Sequence, residues 1–218
     1  MKYSAIILAA GSGKRSGLKD NKILLKIHEK RIVDFSIKYF ENDVDCSQII
    51  LVINRNDFNH FDIPKNSKIN QVIFGGLTRQ KSVYNSLEFI EEKYVLIHDA
   101  ARPYIPKESV EILKRNLSRY SSLTLGVKVS DTIQRVENSF VNETLDRNQL
   151  IATQTPQAFH KSKLIEAHKL ALQKNIESTD DTTLLLELLN IPAFFVEGDK
   201  KNIKFTNMDD LLFLEVIL

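Results

Sequence analysis

Along this chain, short apolar runs alternate with segments whose apolar residues recur at helical spacing. Ile6-Ile7-Leu8 is followed by Arg31 to Phe40, Ile49 to Ile53, Gln71 to Phe74, Ser82 to Glu92 and Tyr94 to Ile97. The short runs show no polar alternation, the pattern of strands covered on both faces, and the segments between them suit crossover helices. A crossover of this kind joins parallel neighbours with right-handed chirality. The rhythm therefore predicts an α/β fold, a three-layer αβα sandwich around a mostly parallel sheet. It breaks after Thr124-Leu125-Gly126-Val127-Lys128-Val129, where Thr132 to Val136 and Ser139 to Leu145 read as short strands about a Glu137-Asn138 turn. With no self-contained apolar set, the stretch at about 132–149 is expected to project as a β arm that needs a partner surface. Helical spacing returns at Lys161 to Lys174, Asp180 to Leu189 and Asp209 to Ile217, with a strand near Ala193 to Val196. No repeat or linker interrupts the chain, so residues 1–218 are expected to form one domain.

Ligands of such sheets bind beyond the carboxyl ends of the strands, and two segments there carry concentrated chemistry. The first is Ala9-Ala10-Gly11-Ser12-Gly13-Lys14-Arg15. Its glycines let backbone N–H groups turn toward an anion, and its cations add charge. It is not a P-loop, because Arg15 stands where Ser or Thr is required, and Ser16 replaces the third glycine of a dinucleotide fingerprint. A glycine-rich turn with solvated basic residues is the plainer alternative. The second segment is His98-Asp99-Ala100-Ala101-Arg102-Pro103, directly after an apolar strand. Asp99 is placed either to hold magnesium, which takes hard oxygen ligands shared with substrate phosphates, or to cap a turn. His98 reads as a structural hydrogen-bonding residue. His160 and His168 lack partners at zinc-ligand spacing. Lys22, Arg79, Arg102, Arg147 and Lys204 each lie in or beside a loop marked by Gly, Asp, Asn or Pro.

Composition narrows the choice of partner. A formal net charge of +2 cannot create the broad positive field that nucleic acid requires, so any anion site must be local and its ligand small. The apolar share of 43% and charged share of 27% suit a globular chain, and no apolar stretch approaches a membrane span. The run Ala5 to Ala10 is too short for a signal segment. Cys46 is the single cysteine, so no intrachain disulfide forms, and a reducing cytoplasm is the expected compartment. Its neighbours Asp43 and Asp45 argue against an activated thiolate.

Taken in order, several motifs resemble the 2-C-methyl-D-erythritol 4-phosphate cytidylyltransferases of non-mevalonate isoprenoid synthesis. They are Leu8 to Arg15 with Lys22, Gly75-Gly76-Leu77-Thr78-Arg79-Gln80-Lys81-Ser82-Val83, His98 to Pro103, Asp131-Thr132, and Asp146-Arg147-Asn148. The series continues with Gln154-Thr155-Pro156-Gln157, Thr179-Asp180-Asp181, and Glu197-Gly198 with Asn202-Ile203-Lys204. The resemblance spans nearly the whole chain. It implies a Rossmann-like nucleotide-binding fold and a nucleotidyltransferase that joins CMP from CTP to a phosphorylated polyol with Mg²⁺. It also implies a homodimer in which the arm at about 132–149 completes the neighbouring site. By that similarity Arg15 and Lys22 stabilise charge on the reacting phosphate. Ala9, Ala10, Gly11, Gly13, Gly76 and Ser82 hold the nucleotide, and Asp99 carries the metal beside it. Arg102, Thr132, Arg147, Thr155 and Lys204 serve the acceptor. The chain departs from the family's usual Pro-Lys-Gln at Asn21-Lys22-Ile23, a change expected to loosen the loop before Lys22. Leu77 also replaces a commonly polar residue. A ribitol 5-phosphate cytidylyltransferase is the nearest alternative, and a dinucleotide-dependent oxidoreductase a remoter one.

Overall fold

The computed structural model describes residues 1–11 and 21–218. Its strands are β1 (Tyr3–Ala9), β2 (Lys26–Ile27), β3 (Lys30–Arg31), β4 (Cys46–Ile53), β5 (Ile69–Phe74), β6 (Tyr94–Asp99), β7 (Ser122–Lys128), β8 (Gln134–Glu137), β9 (Phe140–Thr144), β10 (Ile151–His160) and β11 (Phe194–Glu197). Its α-helices are α1 (Ile32–Asn42), α2 (Arg79–Ser86), α3 (Lys107–Asn116), α4 (Lys161–Lys174), α5 (Asp181–Leu189) and α6 (Asp209–Ile217). Seven strands form one sheet in the order β11-β7-β10-β6-β1-β4-β5. All neighbours are parallel except β10, which runs antiparallel to both β6 and β7.

Alternate residues of the strands feed two separate cores, as the period of two requires. Ala5, Ile7 and Ala9 of β1, with Ile49, Leu51 and Ile53 of β4, pack against Ile32, Val33 and Phe40 of α1 and Val110 and Leu113 of α3. Ile6, Ile50, Val52, Val95 and Ile97 face the other way, onto Val83 of α2, Leu164, Ala167 and Ala171 of α4, and Leu184 and Leu185 of α5. The three-layer, mostly parallel sandwich expected from the apolar rhythm is therefore present, and both faces of β1, β4 and β6 are covered.

The boundaries show where local chemistry overrides periodicity. Helix α2 starts at Arg79, three residues before the apolar pattern becomes helical, because Thr78 caps it by accepting a hydrogen bond from the Lys81 N–H at 3.2 Å. Helix α5 starts at Asp181 because Asp180 turns its side chain onto the Thr182 N–H at 2.8 Å. The turn of the arm lies at Asn138-Ser139, one residue later than the sequence suggests; both residues have positive φ, 50° and 69°, which suits a tight hairpin. The β8–β9 arm is exposed along its length, with Val136 at 60%, Phe140 at 73% and Val141 at 56% accessible, and its registered pair Arg135–Glu143 is ionic at 3.1 Å.

Cys46 is buried, and its thiol is pushed up to about 12, by burial before any effect of Asp43. The nearby carboxylates are thus the lesser cause. No helix among the described residues is long and apolar enough to cross a membrane.

Candidate active site

The strand order reverses about β1, which has β4 on one side and β6 on the other, so a crevice opens at their carboxyl ends. Register places Leu8 opposite Asp99, and the Ala100 N–H donates to the Leu8 carbonyl at 3.0 Å. The end of β1, with Ala9, Ala10 and Gly11, therefore lies beside Asp99. Gly13, Lys14 and Arg15 fall outside the described residues.

The loop after β5 closes on the same place. A Cβ on Gly75 would sit 2.2 Å from the Ala10 Cβ, and one on Gly76 would sit 2.3 Å from the Lys81 Cγ, so neither position accepts a side chain without movement. The Gly76 N–H donates to the Ser82 hydroxyl at 3.1 Å, and that hydroxyl donates to the Thr78 carbonyl at 2.9 Å. Ser82 thus shapes the loop that presents Gly76. Leu77, between these contacts, is fully exposed.

At the centre, Asp99 is held by two cations. Arg79 Nε donates to Oδ1 at 3.2 Å and Lys204 Nζ to Oδ2 at 2.6 Å. Burial alone would raise the Asp99 carboxyl, but the charges of Arg79, Lys204 and Arg102 outweigh it and hold the group well below the usual carboxylate range. Arg79 is in turn gripped by Asp181 at 2.5 Å. Burial opposes its charge, yet Asp181 and then Asp99 keep the guanidinium above its ordinary value. Lys22 opens a single 3-10 turn, Lys22–Leu24, and its Nζ donates to the Phe205 carbonyl at 2.5 Å, one residue from Lys204. The Phe205 N–H donates to the Ala101 carbonyl at 2.7 Å, which ties this segment to the loop after β6. Lys22, through Phe205, and Asp99, through Lys204, are thus tied to adjacent residues of one segment.

The residue before Lys22 is itself fixed by hydrogen bonds, while the loop preceding it lies outside the described residues. Asn21 is buried and caps the 3-10 turn, its side-chain amide donating to Asp57 at 2.7 Å and to the Ala9 carbonyl at 3.3 Å. The side chain supplies by hydrogen bonding a fixation that a proline ring would supply covalently.

Two other candidates are engaged internally. The Thr155 hydroxyl accepts from the Asp99 N–H at 3.1 Å and lies 3.1 Å from His98 Nδ1, while His98 Nε2 lies 2.9 Å from the Arg102 carbonyl. The Arg102 carbonyl requires a proton on Nε2, and burial lowers His98 to about 4, which favours the neutral ring with Nδ1 accepting from the Thr155 hydroxyl. Thr155 and His98 therefore brace the loop after β6, and the structural reading of His98 agrees with this geometry. Arg102 donates to the Asn202 carbonyl at 2.7 Å and the Thr153 carbonyl at 3.2 Å, and burial draws its guanidinium down. Thr132 and Arg147 are exposed on the arm, with Arg147 donating to the Ser130 carbonyl at 2.7 Å. No hydrogen bond or ion pair among the described residues joins them to the Asp99 cluster.

The sequence reading gives no task to Asp181 or His168, and leaves Arg79 among the loop cations. The available signal for Arg79 was its place at the first turn of a helix behind a Gly-Gly loop. Nothing local marks the other two. Asp99 offers hard oxygens of the kind magnesium takes, here engaged by Arg79 and Lys204, and no group of three or more ligating side chains exists among the described residues. Most of the coordination sphere would then come from phosphate oxygens and water.

A model of the family described as IspD, 2-C-methyl-D-erythritol 4-phosphate cytidylyltransferase, matches residues 3–218. The 2-C-methyl-D-erythritol 4-phosphate cytidylyltransferase of Geobacillus kaustophilus is 40% identical over 223 residues, covering 100% of this chain and 97% of that protein. Among solved structures, the corresponding enzyme of Francisella tularensis superposes with a TM-score of 0.86 at 31% identity, covering 100% of both chains. That of Thermus thermophilus gives 0.82 at 28%, covering 100% of this chain and 98% of the other.

Proposed function

The chain belongs to the family of 2-C-methyl-D-erythritol 4-phosphate cytidylyltransferases, and on that footing we propose that it transfers CMP from CTP to 2-C-methyl-D-erythritol 4-phosphate. The products are 4-diphosphocytidyl-2-C-methyl-D-erythritol and pyrophosphate. The observation that carries this reading is the family match over residues 3–218, together with the Lys204–Asp99 pair beyond the carboxyl end of β6 and Lys22 on the neighbouring Phe205 carbonyl.

An oxygen of the acceptor phosphate attacks the α-phosphorus of CTP, and the bond to the β-phosphate oxygen breaks to release pyrophosphate. A phosphate monoester has its second pKa near about 6 and is mostly dianionic at pH 7, so the nucleophile requires no general base. The site is consistent with that economy, since the imidazole nearest Asp99 is buried and held neutral. The protein's task is to bring two polyanions together and to stabilise redistributed charge. Asp99 is the side chain that would hold magnesium, which would supply further neutralisation of the nucleotide's charge. Lys22, with Arg15, acts on the α-phosphate. Ala9, Ala10, Gly11, Gly76 and Ser82 hold the base and ribose, and Gly13 also serves the nucleotide. Lys204 exchanges its Asp99 contact for the acceptor phosphate, and Arg102 and Thr155 hold the loop that carries Asp99.

Thr132 and Arg147 complete the acceptor site from the arm of a second copy. The exposed Val136 and Val141, registered opposite one another, support this, because a lone hairpin with uncovered apolar side chains is marginal in water. The protein then works as a homodimer in the cytoplasm. An acceptor whose phosphate carries ¹⁸O tests the chemistry. The label is expected in the bridging oxygen of the product diphosphate by phosphorus NMR; label found only in pyrophosphate would refute the proposed attack.

A further inference from the structure

Behind Asp99 runs a line of buried polar groups that the reaction does not use directly. Arg79, the first residue of α2, spans Asp99 at 3.2 Å and Asp181 at 2.5 Å, with 23% of its side chain accessible. Asp181, the first residue of α5, is 1% accessible, and its other oxygen accepts from His168 Nε2 of α4 at 2.9 Å. His168 is itself fully enclosed, its ring beside that of Tyr84 at 6.4 Å. Charges buried in this way are costly, and apolar side chains of the same volume usually stabilise a fold as well or better. Stability alone does not account for the line.

The two ends of Asp99 differ in kind. Oδ1 faces Arg79, whose guanidinium is fixed at a second point by Asp181; Oδ2 faces Lys204, a flexible ammonium with 38% of its side chain accessible. One oxygen is anchored and the other can be released. We propose that Asp181 and His168 are positioning residues, which act through Arg79 to hold the Asp99 carboxylate so that Oδ2 is presented to the cation that accompanies the nucleotide. The inference rests on the functional reading above, in which Asp99 holds magnesium. Three elements from three parts of the chain meet in this brace, so the carboxylate's orientation is set by the packing of α2, α4 and α5 and not by the loop after β6 alone.

Groups that orient a metal ligand typically contribute about 10–100-fold to metal affinity or activity. Calorimetric titration of CTP, with magnesium and with EDTA, separates this role from a merely structural one. His168→Phe keeps a buried ring and removes the donor; it is expected to weaken CTP binding by about 10–100-fold with magnesium and to leave binding in EDTA unchanged. His168→Gln, which can still donate to Asp181, should recover most of the loss. Asp181→Asn, which keeps the side-chain volume, carries the same prediction and serves if His168→Phe does not fold. Equal losses with and without magnesium, or no loss in either, would overturn the brace. Wild-type protein whose CTP binding ignores magnesium would contradict the functional reading itself, and the brace with it.

Discussion

Replacing Arg79 by Met removes the one cation shared by two buried carboxylates while leaving an aliphatic stem of similar reach. In the native protein burial opposes ionisation of both Asp99 and Asp181, and Arg79 is the largest influence opposing that effect at each. Breaking a buried ion pair by deleting one partner costs about 3–5 kcal/mol, because the remaining charge is left uncompensated. Less than a third of Arg79 is accessible, so solvent screening does not reduce that figure substantially. Native stabilities run to about 5–15 kcal/mol, so the loss is large but survivable. It should lower the urea midpoint by roughly 1–5 M for a slope of about 1–3 kcal/mol per M. The pH dependence is the sharper test. In the wild type both carboxyls titrate below their unfolded value, so their stabilisation is complete above about pH 4 and is lost as pH falls through the folded values. In Arg79→Met the largest part of that depression is gone, with Lys204 and Arg102 remaining beside Asp99 and His168 beside Asp181, so the penalty is full at neutral pH and fades as the carboxyls take up protons. The gap between the two proteins should therefore be widest at pH 7 and distinctly smaller at pH 4. A gap below about 1 kcal/mol at pH 7, or one that widens in acid, would refute the reasoning.

The remaining expectations are simpler to state. Lys22→Ala should lower kcat and kcat/KM together, by about 10²–10³ if the loss resembles that of an oxyanion donor. Arg147→Ala should chiefly raise the KM for the polyol phosphate; an enzyme impaired mainly in its KM for CTP would remove Arg147 from the acceptor site. Deleting Gln134 to Thr144 should give a monomer of little activity by light scattering, and a fully active monomer would sink the shared-site proposal. Cys46, buried and with its thiol raised to about 12, should resist iodoacetamide in the native protein and react once urea unfolds it. Rapid native alkylation at pH 7.5 would contradict that placement.

Much of the frame was legible because β1, β4 and β6 are buried on both faces and so appear as unbroken apolar runs. Strand β10, helix α3 and the two-residue strands β2 and β3 were not. Strand β10 reads as polar, with Thr153, Gln154, Thr155 and Gln157 around Pro156, a composition that ordinarily excludes a central strand. The fold consumes those polar groups inside: Gln154 donates to the Asp199 carbonyl at 2.8 Å and Gln157 to Asp180 at 2.7 Å. Helix α3 hides its period because its buried face includes Lys114, which is satisfied by Asp43 at 3.0 Å, Asp45 at 2.9 Å and Glu111 at 2.6 Å. In both cases a polar residue is buried with partners that only the tertiary structure supplies. The site divides in the same way. Asp99 and Lys22 stand next to recognisable strand ends and glycines, whereas the link from Arg79 to Asp181 spans 102 positions and has no local signature. Asn21 shows the converse, a residue whose meaning changes once its contact with Asp57 is seen.

The central claim is that this site joins CTP to one particular phosphorylated polyol. Continuous measurement of pyrophosphate release, with CTP and magnesium held constant and the acceptor varied, tests it most directly. The account predicts rapid release with 2-C-methyl-D-erythritol 4-phosphate, far slower release with ribitol 5-phosphate, and none with the unphosphorylated polyol, which lacks the attacking dianion. Release that is faster with ribitol 5-phosphate, or that proceeds equally without any phosphorylated acceptor, would contradict it.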